Sequence, residues 1–151
     1  MNVKDIDHSG RIVVGVDGSA GSKTALKWAM TQARLTGATV EAVTTWQDQV
    51  MYGMTYGWAP LPLAGDSVAT VMGKVLDDTI TEVSAQLPQP VTILPRVVEG
   101  NPAQVLLAAA TGADMLVVGS RGHGTFVGIV LGSVSQHCVQ HAPCPVVVIP
   151  E

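Results

Sequence analysis

Charge is scarce in this chain. Only 13% of its 151 residues are Asp, Glu, Lys or Arg, and the 12 acids outnumber the 8 bases. No run of Lys and Arg occurs anywhere. Duplex affinity comes mainly from neutralising phosphates, so a general nucleic-acid binder is disfavoured. A nucleotide ligand is not, because backbone N–H groups and one well-placed Arg suffice for it. Cysteine is nearly absent too, with only Cys138 and Cys144. They read as reduced, partly buried thiols, since nothing else suggests the oxidising compartment that a structural disulfide needs. Two Cys and four His show no zinc-type spacing. No apolar run approaches the roughly 20 residues that span a bilayer. The opening MNVKDIDHSG lacks the apolar stretch of a signal peptide. A cytoplasmic protein is the resulting expectation.

What is present suits one globular domain over residues 1–151, with residues 1–10 as a flexible start. Hydrophobic residues make up 47% of the chain, enough to cover a sheet. Arg11 to Asp17, RIVVGVD, is a short β-branched run and predicts a buried strand. Gly18 to Ser22 breaks it and supplies caps for a helix. Ala25, Leu26, Ala29, Met30 and Ala33 follow at helical spacing, and Gly37 ends that helix. Thr39 to Trp46 predicts a second strand. Val68, Val71, Met72, Val75, Leu76, Ile80 and Val83 mark a long amphipathic helix, which Leu87 to Pro90 stops.

Val91 to Val98 predicts a third strand with Pro95 inside it. Proline has no ladder donor, so this strand belongs at an edge or carries a bulge. Asn101 and Pro102 read as the N-cap and first residue of another helix, which Gly112 ends. Met115 to Val118, Leu131 to His141 and Pro145 to Ile149 predict a strand, a helix and a last strand. The alternation β-α-β-α-β-α-β-α-β implies a parallel sheet with helices on both faces. Ligands of such sheets bind beyond the carboxyl ends of the strands, where strand order reverses. That rule brings Asp17, Thr45 and the loop after Val118 together.

The loop after Val118 reads GSRGHGTFVGIVLGSVS from Gly119 to Ser135. Its glycines let backbone approach a ligand closely. Gly132 and Ser133 open the next helix, whose free N–H groups and partial positive charge suit a phosphate. Ser133, Val134 and Ser135 are its nearest donors. The alternative is a tight loop with Ser133 as an ordinary cap. Asp17 ends the first strand, placed to accept from a base or ribose or to help hold a metal, or else to cap the first helix with Ser19. Arg121 can grip phosphate with two parallel hydrogen bonds or stand solvated. His123 reads as a passive loop residue, with phosphate contact or proton transfer as the alternative. Known signatures fail: there is no P-loop, no G-x-G-x-x-G and no G-x-S-x-G. No catalytic residue and no metal ligand is assigned.

At this point the chain resembles the universal stress proteins, in their nucleotide-binding branch. That family carries G-x2-G-x9-G-[ST] after its fourth strand. Gly119, Gly122, Gly132 and Ser133 reproduce that spacing. VVGVDGS, from Val13 to Ser19, resembles the family's first strand, and CPVVVIP, from Cys144 to Pro150, its last. The resemblance implies a doubly wound α/β domain with a five-stranded parallel sheet of order 3-2-1-4-5. By position, Gly15, Val16 and Asp17 would face adenine and ribose, and Thr45 would border the base. Gly119, Arg121, Gly122 and His123 would wrap ribose and phosphates, and Gly132, Ser133, Val134 and Ser135 would hold the phosphate chain. Family habit implies a homodimer through Val146, Val147, Val148 and Ile149; an open apolar edge strand favours such pairing independently.

One segment stands apart. Residues 47–65 are rich in Gly, Pro, Met and aromatics and show no period. This long loop reads as a surface or dimer-contact loop, with closure over the ligand through Met51, Tyr52, Tyr56 or Trp58 as the alternative. The leading expectation is an ATP-binding stress-response protein acting as sensor, reservoir or regulator, with Mg²⁺ carried on the phosphates. Hydrolysis should be slow, because no base for the attacking water can be named. Cyclic AMP is the alternative ligand. The rival classes are a nucleotide hydrolase or nucleotidyl-transferring enzyme, and a purely structural interaction protein.

Overall fold

The computed structural model describes residues 10–47, 67–122 and 131–151. Along them run β1 (Arg11–Gly15), α1 (Ala20–Thr36), β2 (Thr39–Trp46), α2 (Val68–Ser84), β3 (Ile93–Glu99), α3 (Pro102–Ala109), β4 (Met115–Gly119), α4 (Ser133–His141) and β5 (Val146–Ile149). The five strands form one sheet of order β3-β2-β1-β4-β5. Every pairing is parallel. The sheet is doubly wound, and the expected α/β architecture stands.

Alternation along the strands sorts side chains to two cores. Ile12, Val14, Val40, Ala42 and Val117 pack under α1 and α2, against Leu26, Ala29, Met30, Leu76 and Val83. Val13, Val43, Leu116 and Val118 pack on the opposite face, against Leu106 and Ala110 at α3 and Cys138 of α4. Continuous β-branched runs therefore fit: both faces of these strands are buried. Both cysteines are free, and burial pushes the Cys138 thiol up to about 11.

Local signals set the boundaries. Ser19, Ser67 and Asn101 cap α1, α2 and α3 through their side-chain oxygens. Gly37 ends α1 with φ of +77°, where a Cβ would be strained. Several limits differ from expectation. β1 stops at Gly15, β3 runs Ile93–Glu99, β4 reaches Gly119, α3 stops at Ala109, α4 starts at Ser133 and β5 starts at Val146. Gly112 lies beyond the helix it was expected to end, at φ +77° in the following turn. Pro95 does sit in an edge strand, paired with Ala42. Val40 N–H donates to the Thr92 carbonyl. Inward-bonding residues alternate from there, so the missing Pro95 N–H falls on the open side.

One polar cluster lies inside the sheet. Glu41 on β2 is only 4% exposed. Arg11 Nη1 donates to its Oε2 at 2.6 Å, and Arg96 Nη1 donates to its Oε1. Arg11 also donates to the carbonyls of Ala109 and Thr111, both at 2.8 Å, tying the end of α3 to β1. Burial pushes the Glu41 carboxyl up, but the Arg96 and Arg11 guanidinium groups outweigh it and hold it below the usual value.

Candidate nucleotide site

The carboxyl ends of β1, β2 and β4 open into a cleft of about 230 Å³. Strand order reverses here, between β1 and β4. The cleft is lined by Gly15 of β1 with Val16 and Asp17 just after it, by Val43 and Thr45 of β2, and by Val118 and Gly119 of β4 with Arg121 and Gly122 after it. Gly132, Ser133, Val134 and Ser135 close it at the start of α4. The fold thus brings eleven of the twelve expected site residues to one cleft. The twelfth, His123, lies outside the described residues, as do residues 48–65 of the long loop and its Met51, Tyr52, Tyr56 and Trp58.

Each wall has a local cause. Val16 N–H donates to the Val43 carbonyl at 2.9 Å, and the buried Thr44 hydroxyl donates to the Val16 carbonyl at 2.8 Å. These bonds fix the chain where β1 ends. Asp17 Oδ1 accepts from Ser19 N–H at 2.9 Å and from the Ser19 hydroxyl. Asp17 therefore does shape the turn into α1 while facing the cleft. Gly15 faces Leu106, whose Cδ1 would lie 3.0 Å from a Cβ built there.

The glycines after β4 have packing duties as well. A Cβ on Gly119 would come 3.1 Å and 3.2 Å from the backbone carbon and oxygen of Gly21. Backbone cannot swing aside as a side-chain tip can. Gly119→Ala should cost about 1–3 kcal/mol, read as a lower melting temperature; an unchanged melt contradicts the contact. A Cβ on Gly122 would lie 2.7 Å from Asp17 Oδ2. Bulk at Gly122 therefore moves Asp17 as well as filling the cleft.

The start of α4 is unlike those of the other helices. Its N-cap is Gly132, which offers no side-chain hydrogen bond. Gly132 N–H donates to the Ser120 carbonyl at 2.7 Å, tying the helix start to the β4 loop. The Ser135 hydroxyl donates to the Gly119 carbonyl, so its proton serves the scaffold. Ser133 is exposed at the first helical position. No acid sits in this first turn, so its partial positive charge faces the cleft. Arg121 borders the cleft but pairs with Glu151 at 3.3 Å.

Val43, Met72, Pro102 and Leu106 also line the cleft and escaped sequence reasoning. Met72 lies on the apolar stripe of α2 and reads as core. Pro102 had a usable signal, because it starts the helix after a strand end, where the crevice rule applies. Among the described residues, no cluster of three or more His, Cys, Asp or Glu forms a metal site. Among them, too, no helix is long and apolar enough to cross a membrane.

A family model described as the universal stress protein family matches residues 8–150. The chain belongs to the universal stress protein family. Universal stress protein Rv1996 of Mycobacterium tuberculosis is 33% identical over 138 residues, covering 91% of this chain and 43% of that protein. The chain thus spans less than half the length of that curated relative. A solved universal stress protein in complex with cAMP is 25% identical, with a TM-score of 0.65, covering 93% of this chain and 95% of its own. The Archaeoglobus fulgidus universal stress protein in complex with dAMP shares the fold, with a TM-score of 0.63 at 20% identity, covering 93% of this chain and 97% of its own.

Proposed function

We propose that this universal stress protein binds an adenine nucleotide in the cleft, with ATP as the first candidate. It would act as a sensor, reservoir or regulator in stress response. The supporting observation is convergence. Gly119, Gly122, Gly132 and Ser133, the spaced motif, meet Asp17 and Thr45 in one cleft at the strand-order reversal. The uncapped N-terminus of α4 suits the phosphates, and the β1–β2 wall suits base and ribose. Gly15, Val16, Val134 and Ser135 complete the contact set. Arg121 would exchange Glu151 for phosphate, and His123 is assigned to the same loop. Mg²⁺ would ride on the phosphates.

Cyclic AMP is the second reading, favoured by the relative solved with that ligand. It needs the same base pocket and one phosphate. Hydrolysis should be slow. Asp17 is the only carboxylate among the described lining residues, and its Oδ1 already accepts from Ser19. We assign the protein to the cytoplasm, which suits two free thiols.

We also assign it a homodimer through β5. The β3 edge carries Pro95 and Arg96, which discourage pairing. The β5 edge is Val146, Val147, Val148 and Ile149, with neither device.

Mass spectrometry of the nucleotide released from protein purified without added ligand tests the ligand class. Release of an adenine nucleotide, with ATP and cyclic AMP competing for the emptied protein, is the expected result. Release of a non-adenine ligand that neither compound displaces would overturn the reading.

A further inference from the structure

A second feature of α4 lies at the end away from the cleft. His137 and His141 are four residues apart and both exposed. That spacing puts them on one face, one turn apart. Their ring centroids are 4.7 Å apart, with planes tilted by 47°. Two metal–nitrogen bonds of about 2.0–2.1 Å each can join nitrogens of two rings held this close. Both residues are exposed, so the pair is not part of either core.

We propose that His137 and His141 form a two-imidazole chelate for a borderline divalent transition metal, with water completing the coordination. Imidazole nitrogen selects Cu²⁺, Ni²⁺ and Zn²⁺ over Mg²⁺ and Ca²⁺, and Cu²⁺ should bind most tightly. The electrostatics agree. His141 is the last residue of α4, where the helix end carries partial negative charge that favours a cation. The α4 sequence SVSQHCVQH has no Lys or Arg, and neither do the α3 sequence PAQVLLAA nor β5. No cation on these elements opposes the metal. The bound ion would clamp the last turn of the helix whose first turn lines the cleft.

Titration of the full, untagged chain with CuCl₂, NiCl₂ and ZnCl₂, followed by calorimetry, tests the site. His137→Ala and His141→Ala keep a good helix former at an exposed position, so both should fold. The expected result is saturable binding in the order Cu²⁺ above Ni²⁺ and Zn²⁺. Either substitution should weaken it at least tenfold, while His8→Ala leaves it unchanged. The melting temperature should rise with metal in the parent and return on adding a chelator. Binding that survives both substitutions overturns the proposal, and so does loss in one variant only.

Discussion

Replacing Ser133 with Glu will weaken ATP binding at least tenfold without weakening the fold. The two effects have one cause. Ser133 stands exposed at the first position of α4, whose first turn contains no acid and whose N-cap has no side-chain bond. A carboxylate there meets the positive end of the helix and should add about 0.3–1 kcal/mol of stability. The same charge repels the phosphates assigned to that spot. Tenfold corresponds to roughly 1.4 kcal/mol, a modest demand for like charges in a cleft. Added salt should shrink the defect, because screening weakens it. Ser133→Ala keeps the helix N–H groups and should lose much less. Equal affinity of Ser133→Glu and the parent would place the phosphates elsewhere.

The largest stability effect is expected at Glu41, which does not line the cleft. Glu41→Ala should cost about 2–3 kcal/mol, below the usual figure for breaking a buried pair. The discount is for the partners: the side chains of Arg11 and Arg96 keep 31% and 51% of their exposure and can turn to water. For a chain of this size the melt should fall by roughly 4–12 °C. Acidity should separate parent from variant. The folded Glu41 pKa lies below the ordinary value of 4.5. Its contribution is therefore complete above that ordinary value and disappears as pH falls through the folded pKa. The parent should lose its advantage over Glu41→Ala on acidification below about 4.5. A gap that stays constant with pH would mean that the carboxylate charge contributes nothing.

The difference in legibility between these two sites is physical. Ser133 was readable because a glycine-serine pair before a helical segment is a local pattern, and its distance from Gly119 and Gly122 lies within one loop. Glu41 was not. It sits inside TVEAVTTW, where a lone acid reads as a solvent-facing position. Its partners are 30 and 55 residues away along the chain, and only the sheet brings them together. The strands and helices were legible because both periods are strong, whereas strand order came from family resemblance. Pro95 announced its edge position through a missing donor. For Asp17 the structure shows the bond to Ser19 and places the residue in the cleft wall. The Ser135 hydroxyl bonds to the Gly119 carbonyl sixteen residues away, a contact that only the fold creates.

Equilibrium dialysis of the purified chain against ATP tests the central claim most directly. The cleft account predicts saturable binding at millimolar nucleotide or below, about one ATP per chain. It also predicts that Gly122→Val, which both fills the cleft and moves Asp17, binds at least tenfold more weakly. No binding at millimolar ATP, with cyclic AMP also unbound, would contradict it.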